Sequence, residues 1–335
     1  MGLRPVSLAD AVTSRGGKRD GCWREAMAPF LRFEIEVPLR QGPTGATPYQ
    51  RRAGLKTFDI HCELGYEVSG PSTFLLNVEA ASMPGQRVLH ESLVTDPPLA
   101  CDRYTDPIVK NRFVRFNADT GSLRLNYRAT VEVEGAPEGV PDAAEVPVGE
   151  LPLDVLRFIL PSRYCESDAL MRMALLEFGA LPQGAQRVEA VCQWIRDHIK
   201  YEVGTTQGTH SAFDTVTGRA GVCRDFAHLA IALCRAINIP ARFVTGYATF
   251  ADPPPDFHAV FEAYLTGGWH LFDPTGLALR SDQVRIGTGR DAADVAFATI
   301  FGPVRMTYMC PLIGPAGTPL EAQPIVAVAA EPRVA

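Results

Sequence analysis

The sequence has no run approaching 18 apolar residues, so a membrane-spanning helix is excluded. It has no block of Lys and Arg. Its 32 basic and 38 acidic residues are mixed along the chain, with a net charge of −6. Nucleic acid is therefore not expected as a partner. No GxxxxGK[ST] loop and no GxGxxG between a strand and a helix is present, so nucleotide binding has no signature. The N-terminal segment lacks the apolar stretch of about 7–15 residues that a secretory signal needs. That predicts a cytoplasmic protein, where structural disulfides are rare. Close pairs of the C-x₂-C or H-x₃-H kind are missing too, so no structural metal is expected. What remains is a globular composition, 46% hydrophobic, with eight cysteines: Cys22, Cys62, Cys101, Cys165, Cys192, Cys223, Cys234 and Cys310. Composition alone leaves them open as bridges, ligands, core fillers or a nucleophile.

The 335 residues fit about two domains. Residues 1–28 are polar and without periodicity and read as a disordered extension, with Met1 and Met27 both candidate starts. Residues 29–135 read as an all-β sandwich. Leu123, Leu125, Tyr127, Ala129, Val131 and Val133 alternate along one strand face, and Phe74, Leu76 and Val78 do the same. FEIEV, FDIHCEL, RVLHESLV and RFVRFNA add shorter strands between turn residues. Residues 136–150, rich in Pro and Gly, read as a linker. Helical spacing then begins, with Leu170, Met173, Ala174 and Phe178 on one helix and Val188, Val191, Cys192 and Ile195 on the next. Residues 151–312 place helices first and strands second, the pattern of an α+β domain. Residues 313–335 read as a loose tail.

CRDFAHLAIALCRAIN is the most informative segment. Phe226, Leu229, Ala230, Leu233, Cys234 and Ile237 form one buried stripe, with Arg224, Asp225, His228 and Arg235 opposite, on the face expected to be exposed. Cys223 points with the stripe at the helix N-terminus. Unpaired N–H groups and a partial positive charge there favour a thiolate, and the same N–H groups can bind the oxyanion of acyl transfer. Cys223 as a small buried filler is the structural alternative. Downstream, DFHAVFEAYL puts His258, Val260, Glu262 and Tyr264 on one strand face, and GWHLFDPTG ends a strand at Asp273. The Thr266-Gly267-Gly268 turn pairs these strands, with a stagger between His258 and Asp273 expected to be absorbed by twist or a bulge. A carboxylate beside an imidazole fixes its tautomer, and the imidazole activates a thiol. Glu262 is a candidate to line the cleft beside His258, with a cross-strand ion pair as the other reading.

The segments GVCRDFAHLAIALCRAINIPARFVTGY, DFHAVFEAYL and GWHLFDPTG together resemble the bacterial transglutaminase-like superfamily of cysteine proteases. The resemblance runs from about Leu151 to Met309, and the β region before it resembles the accessory domain that often precedes this core. It implies an α+β, papain-like/transglutaminase-like core preceded by an all-β sandwich. It assigns Cys223 as nucleophile, His258 as general base and acid, and Asp273 as the residue orienting the imidazole. Val260 departs from the family's frequent Trp, which bears on the local wall of the cleft. Thr206 and Gln207, in the loop before the helix, are candidates for a further oxyanion donor. Tyr247 matches the family's Gly-Tyr pair as a residue bordering the cleft. The implied reaction is hydrolysis of a peptide or isopeptide-like amide in a peptide or protein substrate, through a thioester and without metal or cofactor. Protein-glutamine transamidation, acyl transfer to an arylamine and a non-catalytic peptide-binding groove are the alternatives. Cys192 and Cys234 are then core fillers and Cys223 the one reactive thiol.

Overall fold

The structure, a computed structural model, describes residues 54–135, 139–250 and 256–320. The expected extension 1–28, the FEIEV strand and residues 321–335 of the expected tail lie outside them. Six strands come first: β1 (Leu55–Val68), β2 (Ser72–Leu76), β3 (Gln86–Asp96), β4 (Asp102–Thr105), β5 (Arg112–Ala118) and β6 (Gly121–Glu134). A largely helical stretch follows: α1 (Ser167–Phe178), α2 (Ala185–His198), β7 (Lys200–Tyr201), α3 (Ala212–Gly218), β8 (Ala220–Gly221) and α4 (Cys223–Ala236). The chain then returns to strands: β9 (Ala241–Ala248), β10 (Phe257–Leu265), β11 (Gly268–Phe272) and β12 (Gln283–Gly289). After the short α5 (Ala292–Val295) come β13 (Ala298–Phe301) and β14 (Val304–Pro315).

Two antiparallel sheets, in the orders β14-β1-β6-β3 and β13-β2-β5-β4, form the all-β half. Strict alternation decides which face is inside. Leu123, Leu125, Tyr127, Ala129 and Val131 of β6 pack in one core with Phe74 and Leu76 of β2 and Val114 and Phe116 of β5. One edge strand of each sheet comes from the far end of the chain. β13 pairs with β2, and β14 runs along β1 from Val68↔Val304 to Phe58↔Pro315. Pairing therefore continues past residue 312, where the sequence pattern suggests a loose tail. Pro311 and Pro315 obscure the strand in the sequence. They are tolerated because β14 is an edge strand, whose outward side needs no ladder donor. Residues 139–150 are likewise tied down rather than free. The Ala185 N–H donates to the Ala143 carbonyl at 2.8 Å, and Glu145 pairs with Arg187.

In the α+β half, α4 packs on β9 and β10 and meets α1, α2 and α3. Its expected stripe lies in the core. The opposite side is buried as well, which corrects the exposed face expected for Asp225, His228 and Arg235. The periodicity of α4 marks its most apolar side, but surrounding helices cover the rest. Each of these three buried side chains has at least one partner, as burial demands. Arg235 donates twice to the Ala241 carbonyl (2.8 and 3.0 Å), and to the carbonyls of Leu160 and Arg290 and the Ser162 hydroxyl. The His228 Nε2 accepts from the Ala292 N–H. The halves are not insulated from each other, since Tyr247, Phe257, Val284 and Ile286 belong to the sandwich core. Among the described residues no helix is long and apolar enough to cross a membrane.

Replacing Arg235 by Ala strands three backbone carbonyls inside the protein. We expect a loss of about 3–5 kcal/mol. A lower urea midpoint with unchanged slope would report it, and an unchanged midpoint would show that the carbonyls find other partners.

Candidate active site

Cys223 is the first residue of α4, preceded by an extended Val222. Its position is set by Asp225, whose carboxylate accepts from the Val222 N–H (2.9 Å) and the Thr206 hydroxyl (2.8 Å). Arg224 closes the arrangement on the other carboxylate oxygen at 3.2 Å. Gly221 is required by this packing, since a Cβ there would stand 2.7 Å from the Asp225 Cβ. The thiol is buried, 9% exposed, and its Sγ lies 3.7 Å from the Phe257 carbonyl oxygen.

Phe257 leads directly to His258 on β10. The His258 Nε2 lies 2.9 Å from Asp273 Oδ2. No bulge interrupts this hairpin, so of the two expected ways to absorb the stagger the bulge is not used. The hairpin keeps regular register from Leu265↔Gly268 to Phe261↔Phe272. Continuing that register sets Asp273 opposite Val260, so His258 is its diagonal neighbour on the same face, within side-chain reach. Asp273 is held in turn by the Thr275 N–H (2.8 Å) and hydroxyl (2.7 Å) and by the Ala278 N–H (3.2 Å).

The electrostatics match this geometry. Burial works against a charged His258 ring, but the hydrogen bond to Asp273, together with Cys223, outweighs it and pushes the pKa up to about 10. Burial likewise opposes the Asp273 charge, yet His258 and Thr275 hold its carboxyl below the usual range. The His258 Nδ1 is buried with no hydrogen-bond partner among the described residues, and Cys223 is close enough to act on the charge of the ring. The arrangement can hold a thiolate beside an imidazolium, at the positive end of a helix.

Two neighbours escape a reading of the sequence. Tyr201 enters because β7 pairs in parallel with β8, setting Tyr201 against Gly221. Burial raises its hydroxyl pKa well above the usual value, the Cys223 thiol adds to this, and the Cys223 backbone N–H opposes it. A two-residue strand carries no periodic signal. Asp256, two residues before His258, has its carboxyl pushed up to about 6 by burial, despite the Phe257 N–H and the His258 charge.

Of the other expected site residues, Thr206 is spent on Asp225, and the Gln207 backbone bonds His210 and Arg224, so the observed contacts bring neither to the thiol. Tyr247 does not border the cleft. It is fully buried in the sandwich core, its hydroxyl donating to the Val78 carbonyl at 2.7 Å. Glu262 does not line the cleft either. It is buried in an ion pair with Arg242 and Arg285, the cross-strand alternative. Val260 packs with Val244 and Leu271. All seven described cysteines are free, and Cys22 lies outside the described residues. Burial pushes Cys62 and Cys165 up to about 12 and raises Cys192 and Cys234 as well.

Comparison with known proteins bears on this constellation. Residues 177–274 match the family model of the transglutaminase-like superfamily, a span that holds Cys223, His258 and Asp273. Residues 56–153 match the bacterial transglutaminase N-terminal domain. The crystal structure of the protein named "a Putative Cysteine Protease from Cytophaga hutchinsonii" is 42% identical, with a TM-score of 0.74 over 81% of this chain and 94% of that one. The chain belongs to the transglutaminase-like superfamily. Its core helix, hairpin and preceding β domain are therefore the transglutaminase-like fold with its bacterial N-terminal domain. An uncharacterised protein of Mycobacterium leprae is 37% identical over 120 residues, 32% of this chain and 42% of that protein. One of Mycobacterium bovis is 34% identical over 110 residues, 28% and 35% of the two chains. The chain thus aligns with less than half the length of either mycobacterial relative.

Two measurements follow from the buried thiols and the His258–Asp273 contact. Iodoacetamide at about pH 6 is expected to modify Cys223 ahead of Cys62, Cys165, Cys192 and Cys234. Uniform slow labelling would count against an activated thiol. In a histidine NMR titration the His258 ring should stay protonated well above neutral pH in the wild type. In Asp273→Asn the same transition should move to lower pH, because burial then acts with less opposition.

Proposed function

We propose that the chain hydrolyses a peptide or isopeptide-like amide by cysteine-dependent acyl transfer. The fold family and the Cytophaga hutchinsonii neighbour support cysteine-based catalysis in general. The observation that carries the finer reading is the buried His258–Asp273 pair beside Cys223 at the start of α4. In this reading the Cys223 thiolate attacks the amide carbonyl carbon. The oxyanion of the tetrahedral intermediate is received by the Cys223 backbone N–H at the helix end. The Tyr201 hydroxyl is the second donor, in place of Thr206 or Gln207. As the C–N bond breaks, His258 passes its proton to the leaving amine and a thioester remains. His258 then takes a proton from water, which attacks the thioester. The C–S bond breaks, the acid leaves, and the thiolate–imidazolium pair is restored. Asp273 holds the ring orientation throughout, through the Nε2 contact.

The test is turnover of peptide and glutamine-amide substrates, read as released amine or ammonia, with and without an added primary amine. Cys223→Ala should abolish turnover. Tyr201→Phe should lower kcat by about 10²-fold while Cys223 labelling persists. Retained turnover in Cys223→Ala would overturn the mechanism. Incorporation of the added amine would assign transamidation instead, and peptide binding without turnover by the wild type would assign a binding groove.

A further inference from the structure

Away from Cys223, a cavity of about 380 Å³ is lined by residues of both halves. That is within the range of small-molecule sites, about 300–1,000 Å³. Its charge is unbalanced. Arg242 and Arg285 share one acid, Glu262, whose two carboxylate oxygens are both taken. One carboxylate thus neutralises one of two guanidinium groups. Arg157 adds a third. It makes no ion pair among the described residues, and its Nε is buried without a hydrogen-bond partner. Its guanidinium rests over the Phe158 ring at 4.7 Å. Lys110 and Asp154, both exposed, complete the charged groups of the wall.

The neighbouring acid Asp294 feels the Arg157 charge but is paired with Arg290. The Asn111 amide is spent on Thr288, donating to its carbonyl (2.8 Å) and accepting from its N–H (2.9 Å). Arg242 lies 4.2 Å over the Trp269 ring. Burial lowers its pKa, and Arg285 and Arg157 push the same way although Glu262 opposes them. The cations therefore crowd one another. The wall is built rather than loose, because the Ala81 N–H and the Gln86 side chain bond the Arg285 backbone across the two halves. A buried guanidinium edge without an acceptor is costly, and a planar fork of donors matches the oxygens of a carboxylate or phosphate.

We propose that this cavity binds a small oxyanion, a carboxylate or phosphate group, with Arg157 as its principal partner. Arg242 and Arg285 add donors, and Trp269 and Phe158 supply an aromatic wall for the rest of the ligand. Cys223, His258 and Asp273 do not line this cavity, so the site stands independently of the proposed hydrolysis.

The test is calorimetric titration of the full chain with inorganic phosphate and, separately, with succinate, at constant ionic strength set by sodium chloride. Saturable binding of at least one probe is expected below about 10 mM. Which probe binds more tightly identifies the oxyanion. Arg157→Gln should weaken that binding by about tenfold or more, and Arg157→Lys should restore part of it, with unchanged melting temperatures. The Arg157 side chain makes no hydrogen bond among the described residues, and Cys223 labelling in the variant serves as a check of the distant site. Absence of saturable binding by both probes, or equal binding by Arg157→Gln, would overturn the proposal.

Discussion

Burial of α4 on every side sets where the candidate site can be. A helix packed on one face keeps freedom to shift along its neighbours. A helix enclosed by β9, β10 and three other helices does not, because any shift would open voids in a close-packed interior. Only its first turn meets a boundary, and Cys223 occupies that turn. The enclosure brings Asp225, His228 and Arg235 inside, and each is held by hydrogen bonds from loops and other elements. Those bonds also tie the loop carrying Thr206 to the thiol-bearing turn.

The histidine side of the site depends on the other half of the molecule. Phe257 packs into the sandwich core with its cross-strand partner Tyr247, and His258 is the next residue. Strand alternation then turns the imidazole to the opposite face, towards Asp273. The sandwich is itself completed by β13 and β14 from the far end of the chain. The position of the imidazole therefore rests on contacts contributed from both ends of the described chain. The same sheet face carries Glu262, paired twice, so the two buried acids of this face hold different partners.

Much of this was legible in the residues themselves. The alternation of Leu123 to Val131 and the stripe of α4 correspond to observed elements, since each is a local pattern repeated at the period of its secondary structure, whereas the roles of Cys223, His258 and Asp273 rested on the family resemblance. The misreadings share a physical cause. Asp225, His228 and Arg235 look exposed because a helical wheel has no knowledge of what covers its polar side. Tyr247 and Glu262 lie on strands near His258, yet tertiary packing sends one into the sandwich and the other between two arginines. Pro311 hides β14, because a proline is compatible with an edge strand but edges are not visible in one dimension.

The sequence by itself determined the helix that presents a cysteine at its N-terminus, the hairpin that places a histidine and an aspartate on adjacent strands, and the β region before them. Local periodicity and turn chemistry are properties of short segments and need no partner to be read. Only the tertiary structure decided that Tyr201 stands beside the thiol, that β14 closes the sandwich, and that the Arg157 Nε is buried without a hydrogen-bond partner near Arg242 and Arg285. Those are pairings between residues far apart in the chain, and they are settled by which faces remain to be covered once the local elements have packed.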